Sequence, residues 1–256
     1  MDLSALSHIY AQVPALMLVL ARIGALFAAA PLVGGPYAPA TVKALLAMAV
    51  GLILLPGIDA PVVILNGGFV LQIAREFLLG LSLGFLMNLY FQGVKMGGEL
   101  INRHAGFSAA ENFDPEADIG AGPMGDLLHL ALVLLFFAVD GHHLFLAVLA
   151  KSFTVIPLGG WSMSPQVQDV LWRSVADSWR IALLISFPVL SAIMAITVAE
   201  GVITRAVPQI NVMHLSFAVK IGVSLSVVYA GLPAAVAMLG SVLLTMQTVV
   251  WVAMGS

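Results

Sequence analysis

Residues Gln92–Gly122 read QGVKMGGELINRHAGFSAAENFDPEADIGAG, a polar, glycine-rich stretch inside an otherwise apolar chain. The whole chain has 10 basic and 13 acidic residues, and seven of these charges fall within this stretch. A charged segment in a hydrophobic protein is either a solvated loop outside the membrane or the lining of a water-filled cavity among helices. Composition alone favours the loop, and the flanking sequence has to decide between the two.

The composition on both sides of this stretch is that of a membrane protein. Hydrophobic residues make up 61% of the 256-residue chain and charged residues only 9%, with a mean hydropathy of +1.06. A soluble domain carries about 25% charged residues. The net charge of −3 offers no basic surface for nucleic acid, and the lack of cysteine excludes disulfides and thiolate metal sites. We therefore expect an all-α integral membrane protein.

The segments before the polar stretch predict one full span and several short or broken helices. Leu3–Ala30 is long enough to cross a bilayer and has no signal-peptide character, so we expect it to be retained. Arg22 lies inside it and is costly there unless it pairs, faces a polar interior or reaches an interface. The proline-rich Pro31–Pro39 ends this helix, whereas Ala44–Leu55 and Val62–Ala74 are short for spans and suggest hairpins or re-entrant pieces.

The segment Phe77–Val94, opened by Arg75 and Glu76, has a face built for close packing. Glu76, Gly80 and Gly84 recur every four residues and so share one side of a helix. Small residues at this spacing let another helix approach closely. The pattern predicts that this face contacts protein rather than lipid.

The segments after the polar stretch are again apolar and interrupted. Leu127–Val139 and Leu144–Ala150 are separated at Asp140, and Ser162–Trp179 has the pattern of a short amphipathic helix. Ile181–Ala199 is a clear candidate span, and after a polar turn the uncharged stretch Ile221–Met254 follows. The last two segments predict a helical hairpin.

Three polar side chains, Asp140, His142 and His143, form the nearest approach to a reactive site. Adjacent histidines on a helix point about 100° apart, so the sequence favours a polar helix end over a metal site. No nucleophile elbow and no glycine-rich phosphate loop with a lysine occurs in the chain. We expect no cofactor and no enzymatic activity.

The residues alone leave two other functional classes open, a secondary transporter and an intramembrane enzyme. A secondary transporter could use buried acids, for which Glu76, Glu99, Asp140 and Glu200 are candidates. An intramembrane enzyme would have to use Asp140 with the two histidines, which is the weaker alternative.

Short motifs distributed along most of the chain resemble one known family. They are Arg22 with Ala30-Pro31, Pro36 and Lys43; Arg75-Glu76 with Gly80 and Gly84-Phe85; Gly98-Glu99-Leu-Ile; Gly106-Phe-Ser-Ala109; Phe113-Asp-Pro115; Asp140-Gly-His142; Pro157-Leu-Gly-Gly160; and Arg205-Ala-Val-Pro208-Gln-Ile-Asn211. In order and spacing this chain resembles the FliR family of flagellar type III export-gate subunits, whose injectisome counterpart is SctT. The pair Gly141-His142 favours the flagellar branch.

The resemblance implies an architecture and a set of partners. Residues 1–177 would form a FliP-like helical part with a central plug loop at about 106–122, and residues 178–256 would form a FliQ-like hairpin. Such a subunit would assemble with FliP and FliQ homologues, contact FlhB and FlhA homologues, and conduct unfolded export substrates. Its place would be the bacterial inner membrane, in the flagellar basal body.

The resemblance also implies roles for two groups of residues. The plug that helps to close the channel would comprise Gly106, Phe107, Ser108, Ala109, Glu111, Phe113, Asp114 and Pro115. Packing between subunits would involve Glu76, Gly80, Gly84, Glu99, Arg205, Pro208, Gln209 and Asn211. Glu111 and Glu116 are departures, because the family more often has fewer acids in this loop.

Overall fold

The computed structural model describes residues 3–31, 39–58, 67–107, 122–206 and 212–253, and every regular element within these ranges is helical. The predicted all-α class is therefore confirmed. The helices are α1 (Leu3–Ala29), α2 (Ala40–Leu54), α3 (Gly67–Ala105), α4 (Pro123–Ala138), α5 (Gly141–Val155), α6 (Pro165–Ala206) and α7 (Val212–Ala253), and a short 3-10 turn (Leu55–Gly57) follows α2.

Several of these helices are long and apolar enough to cross a membrane. Among the described residues three candidate spans stand alone: Ala40–Gly57, Gly68–Ala105 and Pro165–Ala206. Two bent helix pairs raise the number to five if each pair is one span. In the second of these pairs, Ser216–Gly231 and Pro233–Met246 meet at 63°, where the missing backbone N–H and ring of Pro233 interrupt α7.

Helix α3 is longer than the sequence patterns predicted. It runs for 39 residues from Gly67 to Ala105, whereas we expected one short segment to end at Ala74, another to cover Phe77–Val94, and the polar stretch from Gln92 to be either a loop or a cavity lining. No proline occurs in Gly67–Ala105, and Glu76 has buried partners, so neither charge nor backbone forces a break. The first half of the polar stretch is thus helix and not loop.

Helix α6 likewise joins two segments that were predicted to be separate. The amphipathic segment, from Pro165 onward, and the span Ile181–Ala199 lie on one helix of 42 residues, Pro165–Ala206, with Pro188 inside it. The predicted break between α4 and α5, by contrast, is present: α4 ends at Ala138 and α5 begins at Gly141.

The chain divides into two compact units, each made of segments that are distant in sequence. Unit 1 comprises Met1–Leu89, Val139–Ser174 and Thr245–Ser256. Its described core centres on α1, where Leu18, Ile23 and Leu26 are inaccessible to solvent. The ring of Phe27 stacks on that of Phe145 of α5, with centroids 5.7 Å apart.

Unit 2 comprises Tyr90–Ala138 and Val175–Leu244. Gly93 of α3 lies against the backbone of Ser178, and Gly97 lies against Ala182. The C-terminal half of α3 and helix α6 therefore approach closely. Phe91 packs edge-to-face on Phe136 at 5.7 Å. These units do not test the expected division into a FliP-like part, 1–177, and a FliQ-like hairpin, 178–256, which stays a prediction.

Candidate functional site

The most deeply buried charges of unit 1 form an ion pair between α1 and α3. Arg22 Nε donates to Glu76 Oε2 at 2.5 Å, and both side chains are 0% exposed. An isolated charge in an apolar interior is strongly disfavoured, and pairing with several hydrogen bonds is what makes it tolerable. Of the alternatives for Arg22, the structure thus selects pairing and not an interfacial position.

The rest of the Arg22 guanidinium is satisfied by α5. Its Nη1 donates to the Ser152 carbonyl at 2.8 Å and to Ser152 Oγ at 3.3 Å, and its Nη2 donates to the carbonyl of Ile156 at 3.1 Å. The guanidinium carbon also lies 4.3 Å from the ring centroid of Phe153, within cation–π distance. One arginine therefore holds three segments of unit 1 together.

The second oxygen of Glu76 fixes the turn that follows α5. The N–H of Gly159 donates to Glu76 Oε1 at 2.6 Å, and the Gly159 carbonyl accepts from Arg75 at 3.2 Å. Gly159 has a φ of 75°, a left-handed conformation that favours glycine. Arg22, Glu76, Ser152, Phe153, Ile156 and Gly159 together are called the Arg22–Glu76 network below.

The glycine stripe beside Glu76 packs on α1 of the same chain. A Cβ at Gly80 would overlap the carbonyl oxygen of Arg22, and a Cβ at Gly84 would lie 2.6 Å from the carbonyl oxygen of Leu26. The described neighbour of this face is thus α1. A role of Glu76, Gly80 and Gly84 in packing between subunits stays a prediction.

The predicted plug loop leaves unit 2 at a well-defined point. Gly106 ends α3 with a φ of 87°, and a Cβ at this position would lie 2.6 Å from the ring of Phe217. Phe107, the next residue, is half-buried. The remaining predicted plug residues, Ser108, Ala109, Glu111, Phe113, Asp114 and Pro115, lie outside the described residues.

The loop returns beside the helix that it left. Asn102 of α3 is 2% exposed, and its Oδ1 accepts the N–H of Met124 in the first turn of α4 at 3.0 Å. A Cβ at Gly122 would overlap the Asn102 side chain. Asn102, Gly106, Gly122 and Met124, here called the plug base, therefore hold both ends of the loop close to one turn of α3.

About one turn before Asn102 in α3, helices α3 and α4 cross at two glycines, Gly98 and Gly125. A Cβ at Gly98 would lie 2.5 Å from the Cα of Gly125, and a Cβ at Gly125 would lie 3.2 Å from Cγ of Glu99. Lys95 and Asp126 form a looser ion pair across the same crossing, with 3.9 Å between Nζ and Oδ1. Glu99, predicted to pack between subunits, is half-buried here.

The remaining predicted packing residues are at or beyond the end of α6. Arg205 is exposed in the last turn of α6. Pro208, Gln209 and Asn211 lie outside the described residues.

Sequence reasoning did not identify several partners in these two clusters. The Ser152 and Ile156 carbonyls and the Asn102 side chain carry no pattern that distinguishes them from ordinary helix residues. Gly159 did stand within a motif of the resemblance, but its bond to Glu76 was not foreseen.

Unit 2 also contains a cavity of about 150 Å³. Its walls come from α3, α4, α6 and α7 and are built from apolar residues, with Ile101, Leu128, Pro188, Gly231 and Met238 among them. Such a lining offers space for apolar groups but no polar side chain for chemistry.

Comparison with known proteins identifies relatives over most of the chain. The model of the family described as "Bacterial export proteins, family 1" matches residues 13–246. The chain is 26% identical over 215 residues to the flagellar biosynthetic protein FliR of Escherichia coli (strain K12), which covers 84% of this chain and 82% of the relative. It is 30% identical over 217 residues to the FliR protein of Bacillus subtilis (strain 168), covering 82% and 83%.

A relative with a different name shares part of this similarity. The Yop proteins translocation protein T of Yersinia pestis is 26% identical over 152 residues, which covers 59% of this chain and 58% of the relative.

Proposed function

The chain belongs to the bacterial export proteins, family 1, and from this premise we propose that it is a core subunit of a flagellar type III export gate. In this proposal it assembles with FliP and FliQ homologues into the pore that unfolded flagellar proteins cross, near FlhB and FlhA homologues. The relatives named FliR support the flagellar system. The role requires no catalysis, cofactor or nucleic acid, and its site is the inner membrane within the flagellar basal body.

The surface of the chain supports an assembled subunit. Large apolar side chains remain exposed on most helices, including Ile53 at 76%, Phe187 at 70% and Tyr229 at 78%. Side chains of this size favour contact with lipid or with other apolar helices over contact with water. A heteromeric helical pore supplies both kinds of neighbour.

The observation that carries the gating role is the plug base. Asn102 and Gly122 bring the two ends of the loop together beside α3, and 14 residues connect these ends in the sequence. A loop of this length with Phe113 and four acids can obstruct an aqueous channel while its charges stay hydrated. We propose that it closes the pore until an export substrate displaces it.

One experiment tests assembly and gating together. The chain is co-expressed with the FliP- and FliQ-like proteins of its source, and the complex is examined by native mass spectrometry and by ion leak across the membrane. We expect a heteromeric complex with one copy of this chain. Deleting Ser108–Glu116 should increase the leak and leave the complex intact, because the plug base lies outside the deletion.

The matched control replaces Ser108–Glu116 by a glycine–serine segment of equal length, which keeps the connection but removes Phe113 and three of the four acids. A leak in both variants supports obstruction by these side chains. An assembled gate with unchanged leak contradicts the plug, and a chain that ignores both partners contradicts the export-gate role altogether.

The injectisome is the second candidate system, and the Yersinia relative favours it. Deleting the gene in its source distinguishes the two. Loss of flagellar assembly supports the first proposal, whereas loss of secretion with flagella intact supports the second.

A further inference from the structure

Three potential metal ligands converge at the start of α5. Asp140 directly precedes this helix in a left-handed conformation, with a φ of 57°. Its carboxylate turns toward the first helical turn, where Oδ1 lies 3.4 Å from Nδ1 of His143. The imidazole rings of His142 and His143 lie 4.2 Å apart, with an angle of 37° between their planes. Adjacent histidines on a regular helix were expected to diverge, but here both rings lie beside the same carboxylate.

The spacing of the ligand atoms fits a single ion after a small adjustment. One ligand atom from each of the three residues lies within 4.8 Å of the other two. A tetrahedral Zn²⁺ holds nitrogen and oxygen ligands at about 2.0–2.2 Å, which places them roughly 3.4 Å from one another. The side chains of Asp140 and His143 are 74% and 72% exposed, so neighbouring side chains leave room for the rotamer changes that close this gap.

The donor set determines the class of ion. Two imidazoles with one carboxylate suit zinc, cobalt or nickel, whereas Mg²⁺ and Ca²⁺ prefer oxygen ligands alone. We propose that Asp140, His142 and His143 bind one divalent transition-metal ion, with water completing its coordination. This inference is independent of the export-gate function.

A bound ion would also stabilise the beginning of α5. Asp140 precedes the helix and the histidines belong to its first turn, so coordination ties the turn to the helix. An ion that binds only the folded arrangement raises the apparent melting temperature.

The test uses the full chain with a tag that contains no histidine, purified in detergent and titrated with Zn²⁺ and, separately, with Mg²⁺ by calorimetry. We expect saturable binding of one Zn²⁺, a higher melting temperature with Zn²⁺, and no binding of Mg²⁺. Asp140→Asn and His143→Ala should each weaken Zn²⁺ binding at least about tenfold. Asparagine tolerates the left-handed backbone, so Asp140→Asn separates loss of the carboxylate from loss of the turn.

The matched control is His104→Ala, because His104 is an exposed histidine in the last turn of α3. It should leave the Zn²⁺ affinity unchanged. Absence of saturable Zn²⁺ binding, or binding that is equal in wild type, Asp140→Asn and His143→Ala, would overturn the proposal.

Discussion

The two helix crossings made by α3 use glycine in the same way but place their charges in opposite environments. In unit 1 the crossing with α1 depends on Gly80 and carries the Arg22–Glu76 pair at 0% exposure. In unit 2 the crossing with α4 depends on Gly98, and its Lys95–Asp126 pair is 29% and 61% exposed. Helix α3 thus contributes one residue to a buried ion pair and another to a partly exposed ion pair.

The difference in burial determines how much the loss of one charge of each pair should cost. A buried pair stabilises little relative to apolar residues of the same shape, but removing one partner leaves a charge with no solvent. An exposed pair gains little, and each partner returns to water when the other is removed. The contrast predicts graded effects along α3.

The largest effect is expected for Glu76→Gln. The substitution keeps the shape of the side chain but leaves Arg22 buried without a countercharge and weakens the bond to the Gly159 N–H. The free energy of unfolding should fall by about 3–5 kcal/mol. Scanning fluorimetry in detergent measures the change, and the double variant Arg22→Leu/Glu76→Leu provides the comparison. It should lose less than the sum of the losses of the single variants Arg22→Leu and Glu76→Leu; additive losses would contradict a coupled pair.

An intermediate effect is expected for Gly80→Ala. The new methyl group would overlap the Arg22 carbonyl, and such overpacking typically costs about 1–3 kcal/mol. The control is Gly24→Ala in α1, where a Cβ meets nothing within 4 Å. Equal melting temperatures for the two variants would contradict the close crossing. A Gly80→Ala chain that is stable alone but gives a low yield of complex would instead indicate packing between subunits.

The smallest effect is expected for Lys95→Ala. The ion pair with Asp126 is long and partly exposed, so the free energy of unfolding should change by less than about 1 kcal/mol. The melting temperature should then remain close to that of the wild type. A loss comparable to that of Glu76→Gln would show that exposure does not separate the two crossings.

Much of the fold could be predicted because apolar segments of membrane length allow few structures. The all-α class, the first helix, the break at Asp140 and the close-packing character of Gly80 and Gly84 followed from periodicity and from glycine at helical spacing. Helix boundaries were less predictable, as α3 and α6 show. A charged residue suggests a break in an apolar sequence, but a partner elsewhere in the fold removes the reason for one.

The candidate site was only partly accessible from sequence. Gly106 and Glu76 were identified, but Asn102 was not, since its role depends on the backbone of Met124, 22 residues away. The partners of Arg22 are as far as 134 residues away in the chain. No local pattern encodes such distances.

The sequence by itself determined that this is a membrane protein, that it is helical and which family it belongs to. Composition, span length and the order of motifs are properties of the chain alone. Tertiary structure alone decided which charged side chains are buried and which stay exposed. Burial is a property of the surroundings: Arg22 and Lys95 are both basic residues on apolar helices, and only the packing of neighbouring helices buries the first completely and leaves the second partly exposed.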